Sequence, residues 1–494
     1  MASEGRHMGR RYKEGPSRHQ LLLMPPSIEE YVDVDSKVRA IDVYVSTLDL
    51  EKLGFQNAGG ELSAGQPAFE PAALLKLYLW GYLNRTRSSR RLERETYRNL
   101  EVIWLLNQLH PSYKTIADFR KNNPTALKAV NKDFILLCRE LSLFGAELVA
   151  IDSAFMEGNA SKASIQTRTK LKRLQAKLEA DIEAWHTTLA QGDRQEAQAA
   201  QDEEAMQDKL ARLKRHLQHC QQDMEHLEAS GETQLSRTDP DARLLNKKTD
   251  KGPTAGFNVQ CAVDSQHGLI IASDVVNDGN DQNQLARMAL QAKENLGTKN
   301  LEVVADSSYY NQLELKACED ADITPFVAIS QRGKHDGRFG REDFIYDPDS
   351  DCYRCPAGNV LKFSCMGKTN NGKQMRRYIS SRTDCKSCPL RGQCLKEKSN
   401  RRQLQRWEHE EVVERHQQRM ETEGEAYMKQ RAALAEHPLG TIKMWAGWTH
   451  FLCRGLDKVR AEFSLMTLSY NFTRVLNILP DLERFREYCE KRVA

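Results

Sequence analysis

Apolar residues recur at helical spacing through residues 8–145, most densely in FEPAALLKLYLWGYLNRTRSSRRLERETYRNLEVIWLLNQL, which predicts a helical N-terminal unit. The period then changes. LVAID is a continuous apolar run closing on Asp152, and it predicts a buried strand over 147–152. Polar helical sequence follows over 164–230. Leu171, Leu174, Leu178, Ile182, Trp185 and Leu189 form one seam at three- and four-residue steps, and Met206, Leu210, Leu213, Leu217, Cys220, Met224 and Leu227 form a second. With a polar break at Gly192-Asp193 between them, the simplest structure is an antiparallel helical hairpin. FNVQCAVD and GLIIASDVV, joined by SQHG, predict a β-hairpin over 257–276. NDQNQLARMALQAKENLG is helical, LEVVAD at 301–306 is a second apolar run ending on an Asp, 311–320 is a short helix, and TPFVAI at 324–329 is a fifth strand.

With the helical insertion set aside, this order is three antiparallel strands followed by alternating helices and parallel strands, an α/β arrangement. The first and fourth strands are then neighbours, which brings Asp152 and Asp306 side by side. Two carboxylates that close repel unless a cation lies between them, and hard cations such as Mg²⁺ take oxygen ligands of this kind.

Six of the twelve cysteines lie at 352–394, and all but the isolated Cys365 form a cluster. Cys352-x₂-Cys355 and Cys385-x₂-Cys388 have the spacing of a zinc ribbon, and Cys394 adds a fifth thiol. Tetrahedral Zn²⁺ takes four, so a structural zinc on four of these five is expected. The net charge of +3 hides local asymmetry. Arg85, Arg87, Arg90, Arg91 and Arg94 crowd one turn-rich stretch, and Arg120 and Lys121 sit at a helix end; both suit phosphate contact. More basic residues surround the cysteines. The chain has no run of 18 apolar residues and no secretory signal, so a non-membrane, cytoplasmic protein is expected. Residues 1–7 read as the remnant of an expression tag, with a natural start at Met8.

A third acidic candidate lies in ETEGEAYMKQRAALAEHPLGTIK at 421–443, predicted as one helix with Tyr427, Arg431 and Glu436 roughly along one side. On spacing alone this is a solvated charged face. Together, AIDSAFMEGNASK, TDPDARLL, GFNVQCAVD, VVADSSYYN, CPAG, CKSCPLRGQC and YMKQRAALAEHPLGTIK resemble, in order and over nearly the whole chain, the motifs of a bacterial insertion-sequence DDE transposase with a Tyr-Arg-Glu-Lys signature. Tyr427 and Arg431 stand one residue further apart than in the simplest form of that signature, as do Arg431 and Glu436. The Glu436-to-Lys443 gap agrees.

The resemblance implies a ribonuclease H-like catalytic core over 146–163 and 236–335. A helical DNA-binding domain would span 8–145, a hairpin insertion 164–235, a Cys-rich insertion 336–400, and C-terminal helices carrying the third acid 401–494. It implies Asp152, Asp306 and Glu436 as a triad holding two Mg²⁺ (or Mn²⁺) ions, with Tyr427, Arg431 and Lys443 as accessory residues. It also implies double-stranded DNA as the partner, at element ends and at the target, handled by a homodimer or higher assembly at the nucleoid. Trp445 and Trp448 are the nearby aromatics on which a flipped base could stack. A nuclease that cuts without joining and a DNA-binding protein without chemistry are the competing functions.

Overall fold

A computed structural model describes residues 27–58, 67–192, 200–245, 252–329, 337–369, 372–479 and 481–493, without the side chains of 188–192, 200–206 and 493. The leader 1–7, Met8, Asp193 of the hairpin break, and the side chains of Leu189 and Met206 lie outside this description.

The central sheet contains β1 (Leu148–Glu157), β2 (Thr254–Asp264), β3 (Ile270–Val276), β4 (Leu301–Ala305) and β5 (Ile323–Val327), in the order β3-β2-β1-β4-β5. A short strand, Arg243–Leu245, pairs with the start of β2. The first three strands are antiparallel, and β4 and β5 run parallel to β1. Both faces of the sheet are covered, which is why its strands read as continuous apolar runs. Val149, Ile151, Val303 and Ala305 pack toward the helix Leu285–Leu296. Leu148, Ala150, Val304 and Phe326 pack against Ala435, Met428 and Tyr427 of the helix Gly424–Gly440.

One boundary differs from expectation in a way that matters. β1 does not end on Asp152 but continues to Glu157, because β2 pairs with it as far as Gly256. A side chain on Gly256 could not fit: a Cβ there would lie 2.0 Å from the Met156 carbonyl oxygen. On the other side, β4 stops at Ala305, opposite Ile151. Asp152 therefore sits where the parallel half of the sheet opens, not at a strand tip.

The N-terminal residues form helices Lys37–Ser46, Pro71–Leu83, Ser89–Arg98, Leu100–Leu105, Tyr113–Asn122 and Pro124–Glu140. They share one continuous apolar core with β2, β3 and the buried helix Leu456–Ile478. Tyr44, Phe134 and Phe472 form its centre, with rings 5.1–5.9 Å apart.

Helices Arg168–Gly192 and Ala200–Ser230 pair as the expected hairpin, seamed by Leu171, Cys220 and Leu227. Residues 345–407 form a separate five-stranded antiparallel meander around Tyr353, Leu361, Tyr378 and Leu404; its last strand, Gln403–Trp407, follows the cysteine segment. The predicted single helix over 421–443 is broken. Glu410–Thr422 ends at Glu423, Gly424–Gly440 follows, and Thr441–Trp445 is a π turn. No helix among the described residues is long and apolar enough to cross a membrane.

Candidate active site

The parallel register places Ile151 opposite Ala305, so the next residues stand at the same level, Asp152 within β1 and Asp306 just past the end of β4. Neighbouring strands are about 4.8 Å apart. Each aspartate uses one oxygen for donors of its own chain. Asp152 Oδ1 accepts from the Ser153 amide at 2.8 Å, and Asp306 Oδ1 accepts from the Ser308 amide at 2.8 Å and the Ser308 hydroxyl at 2.5 Å. Among the described residues, neither Oδ2 has a hydrogen-bond partner. Burial pushes the Asp152 carboxyl above its usual range; Asp306 and Asp281 push it the same way, against the Ser153 amide and Arg431. The Arg431 guanidinium stands 3.9 Å from Asp152 Oδ1.

The other signature residues are spread along the Gly424–Gly440 helix and the turn after it. Glu436 is exposed and lines a groove of about 870 Å³ with Tyr82, Arg85, His437, Trp445 and Tyr470. Arg85 lies over the exposed Trp445 ring at 4.9 Å, while Trp448 is buried beneath. Lys443 Nζ donates to the Phe155 carbonyl, three residues beyond Asp152 on β1, at 3.2 Å. Tyr427 lies at the far end of β4. Its hydroxyl donates to Glu302 at 2.6 Å and its ring stacks on Phe326 at 3.7 Å. Glu302 is four residues before Asp306, roughly 13 Å away along a strand, so Tyr427 holds the helix to the sheet rather than facing the aspartates.

The described residues contain no group of three or more His, Cys, Asp or Glu side chains close enough to hold a metal ion. Two expectations change. Asp152 and Asp306 come together, but Glu436 does not close a three-acid cage with them. The pair still fits a hard divalent cation, since Mg²⁺ keeps several waters and takes only one or two protein carboxylates.

The zinc site is likewise not closed. Cys355, Cys385 and Cys388 lie near enough to raise the Cys394 thiol, after burial and against Arg402, but the four do not reach ligating geometry. Cys352 is buried in a strand that pairs with 345–347 and 360–362. Nearby basic residues are partly engaged within the module, with Arg376 bound to Asp351 at 2.7 Å and Arg391 to the Cys385 and Ser399 carbonyls.

The basic candidates divide in two. Arg90, Arg91, Arg94 and Lys121 are exposed, as is Arg85. Arg87 and Arg120 are buried, and this corrects their assignment to a DNA surface. Arg87 donates to Glu462 at 3.2 Å and to the His450 carbonyl at 2.9 Å, and Arg120 lies over the Tyr78 ring.

Sequence reasoning missed Asp281. It is buried beside the pair, accepts hydrogen bonds from Asn258 and Gln260, and lies 3.0 Å from the Ser308 hydroxyl. Its only signal in the sequence is the unusually polar run NDGNDQNQ between a strand and a helix.

Two segments of the chain match models of transposase domains: residues 26–122 match "Transposase domain (DUF772)" and residues 354–476 match "Transposase DDE domain". The first covers the N-terminal helices. The second runs from the Cys-rich meander through the signature helix and most of Leu456–Ile478. Among solved structures, the piggyBac transposase synaptic complex with hairpin DNA aligns over 93% of this chain and 80% of that chain, with 9% identity and a TM-score of 0.33, too low to establish a common fold. No curated protein matches.

Proposed function

We propose that this chain is a DNA transposase with a ribonuclease H-like core, cutting element ends and joining them to target DNA by divalent-metal-dependent phosphoryl transfer. The observation that carries the reading is the Asp152–Asp306 pair, aligned by the parallel register of β1 and β4 with one oxygen of each open. The strand order β3-β2-β1-β4-β5 agrees with the fold, and the two transposase matches agree with the activity.

Asp152 and Asp306 would hold Mg²⁺ through their open oxygens. Bound there, the ion would neutralise phosphate charge and favour ionisation of the attacking hydroxyl. The protein's own part is positioning. Arg431 pairs with Asp152 at 3.9 Å and would present a planar cation to the phosphate, and Lys443 ties its turn to β1 beside the pair. Glu436 lines the groove beside Arg85 and Trp445; a DNA end would bind there, and Glu436 would join the pair once it is bound. In the first step water attacks the scissile phosphorus, the P–O3′ bond breaks, and the end leaves with a free 3′-hydroxyl. In the second, that hydroxyl loses its proton and attacks a target phosphorus, expelling the target's own 3′-oxygen. Handling two ends at once calls for at least two copies of the chain.

The test is incubation of labelled element ends and a target plasmid with the full chain and Mg²⁺ or Mn²⁺. Cleaved ends covalently joined to target are expected. Cleavage without joining would replace the transposase with a nuclease, and binding without cleavage in either metal would sink both.

The exposed arginines of the Ser89–Arg98 helix should contact the DNA backbone. Substituting Arg90 and Arg94 with Ala should weaken binding to all duplexes alike and reduce the slope of log K against log salt by about 2, near one unit per lost phosphate contact. Unchanged slopes, read by fluorescence anisotropy across a salt series, would remove this helix from the interface.

A further inference from the structure

We infer that Asp281 is a positioning residue for the metal-binding aspartates, acting through Ser308 on Asp306. The inference rests on the metal-dependent reading above and deepens it. Asp152 faces the Gly424–Gly440 helix, on the same side of β1 as Leu148 and Ala150. Asp281 reaches the pair from the opposite face, where it meets Asn258 and Gln260 of β2. It is a buried carboxylate with a polar group against each oxygen. Oδ1 accepts from Asn258 Nδ2 at 2.8 Å and Gln260 Nε2 at 2.7 Å, and Oδ2 lies 3.0 Å from Ser308 Oγ. The Tyr309 hydroxyl donates to Gln260 Oε1, which turns the amide so that its NH₂ must face Asp281.

Oδ1 of Asp281 is doubly engaged and Oδ2 shares the one Ser308 proton with Asp306, so Asp281 is not an open ligand like the Asp152–Asp306 pair. Its influence passes through one atom. Ser308 Oγ has a single proton and sits between two carboxylates, 2.5 Å from Asp306 Oδ1 and 3.0 Å from Asp281 Oδ2. That contact, with the Ser308 amide, occupies Asp306 Oδ1 and leaves Oδ2 as the oxygen facing outward. Asn258, Gln260 and Tyr309 are all fully buried and hold Asp281 in place behind the exposed Ser308. Fixed partners behind a metal ligand commonly set its affinity within a 10–100-fold range. Asp281 also adds negative charge beneath the pair without using a coordination position.

The experiment compares the full-length wild type with Asp281→Asn, Ser308→Ala and Asp306→Ala. Mn²⁺ binding is followed by the electron paramagnetic resonance signal of the free ion, and the metal concentration giving half-maximal end cleavage is measured alongside. Asp281→Asn keeps an oxygen for Asn258 and Gln260 but removes the charge and the acceptor facing Ser308. It should melt like wild type and bind DNA equally, yet bind Mn²⁺ about tenfold more weakly. Its cleavage should recover at high Mn²⁺, which damage to the fold would not allow. Ser308→Ala should shift metal dependence in the same direction, and Asp306→Ala should abolish binding at any concentration. Wild-type metal affinity in Asp281→Asn would overturn the inference while leaving the function intact. Wild-type affinity in Ser308→Ala beside a weakened Asp281→Asn would overturn the route through Ser308. A wild type that neither binds Mn²⁺ nor cuts would overturn the functional reading, and this inference with it.

Discussion

Asp306→Asn should lower the rate of end cleavage by roughly 10³-fold or more while leaving duplex binding within about twofold. The amide keeps the shape of the side chain and its hydrogen bond to the Ser308 amide, so the fold has no reason to change. What it loses is the charge on Oδ2, the oxygen the chain leaves open. A metal held by two carboxylates supplies several kcal/mol of transition-state stabilisation, and each 1.36 kcal/mol is about tenfold in rate. Asp152→Asn should behave the same way, since the two aspartates stand at one level on adjacent strands. The measurement is single-turnover cleavage of a labelled element end in saturating Mg²⁺, with binding followed separately in EDTA. Near-normal cleavage by either variant would show that the register-matched pair is not where the chemistry occurs. Glu436→Gln is the informative companion. This acid lines the groove rather than closing on the pair, so full loss in this variant would mean that DNA draws the signature helix inward.

The aspartate pair was legible because it depends on short-range pattern. Two apolar runs each reach an Asp, and the alternation of strands and helices between them is enough to make those strands parallel neighbours. The continuation of β1 to Glu157 was not legible, because Ser153–Glu157 is held by pairing with β2 and not by an apolar run of its own. The arginines failed for a different reason. Arg87 and Arg90 are equivalent in composition, but Arg87 meets Glu462, 375 residues away, while Arg90 stays at the surface. Asp281 was hidden in polar sequence with no period, where only the folded network separates it from Asp278. Tyr427 and Arg431 occupy successive turns of one helix and read as a pair. In the structure one anchors the helix to Glu302 and the other meets Asp152.

Glu462→Ala should destabilise the protein by about 3–5 kcal/mol, the range for breaking a buried ion pair by removing one partner. Glu462 is fully buried in the Leu456–Ile478 helix. Its carboxylate accepts from Arg87 Nη1 at 3.2 Å and from the amides of Leu452 and Cys453 at 2.9–3.1 Å. Removing it leaves a guanidinium and two backbone amides without their acceptor in a dry interior, beside the buried Arg120. The loss should appear as a lower urea midpoint with an unchanged slope. Replacing both partners, as in Arg87→Met with Glu462→Leu, should recover part of it, because no charge is then left stranded. Equal losses in the single and double variants would mean that the two amides, not the ion pair, need Glu462. The same carboxylate bears on function through the chain it fixes. Residues 449–451 join the end of β1, with the Phe451 amide donating to the Glu157 carbonyl at 2.8 Å and the Glu157 amide to the Thr449 carbonyl at 3.0 Å. The Lys443 turn and the Trp445 wall of the groove lie just upstream. Glu462→Ala should therefore lose end cleavage at temperatures where the core still holds, and regain it on cooling, whereas Asp306→Asn should stay inactive at every temperature.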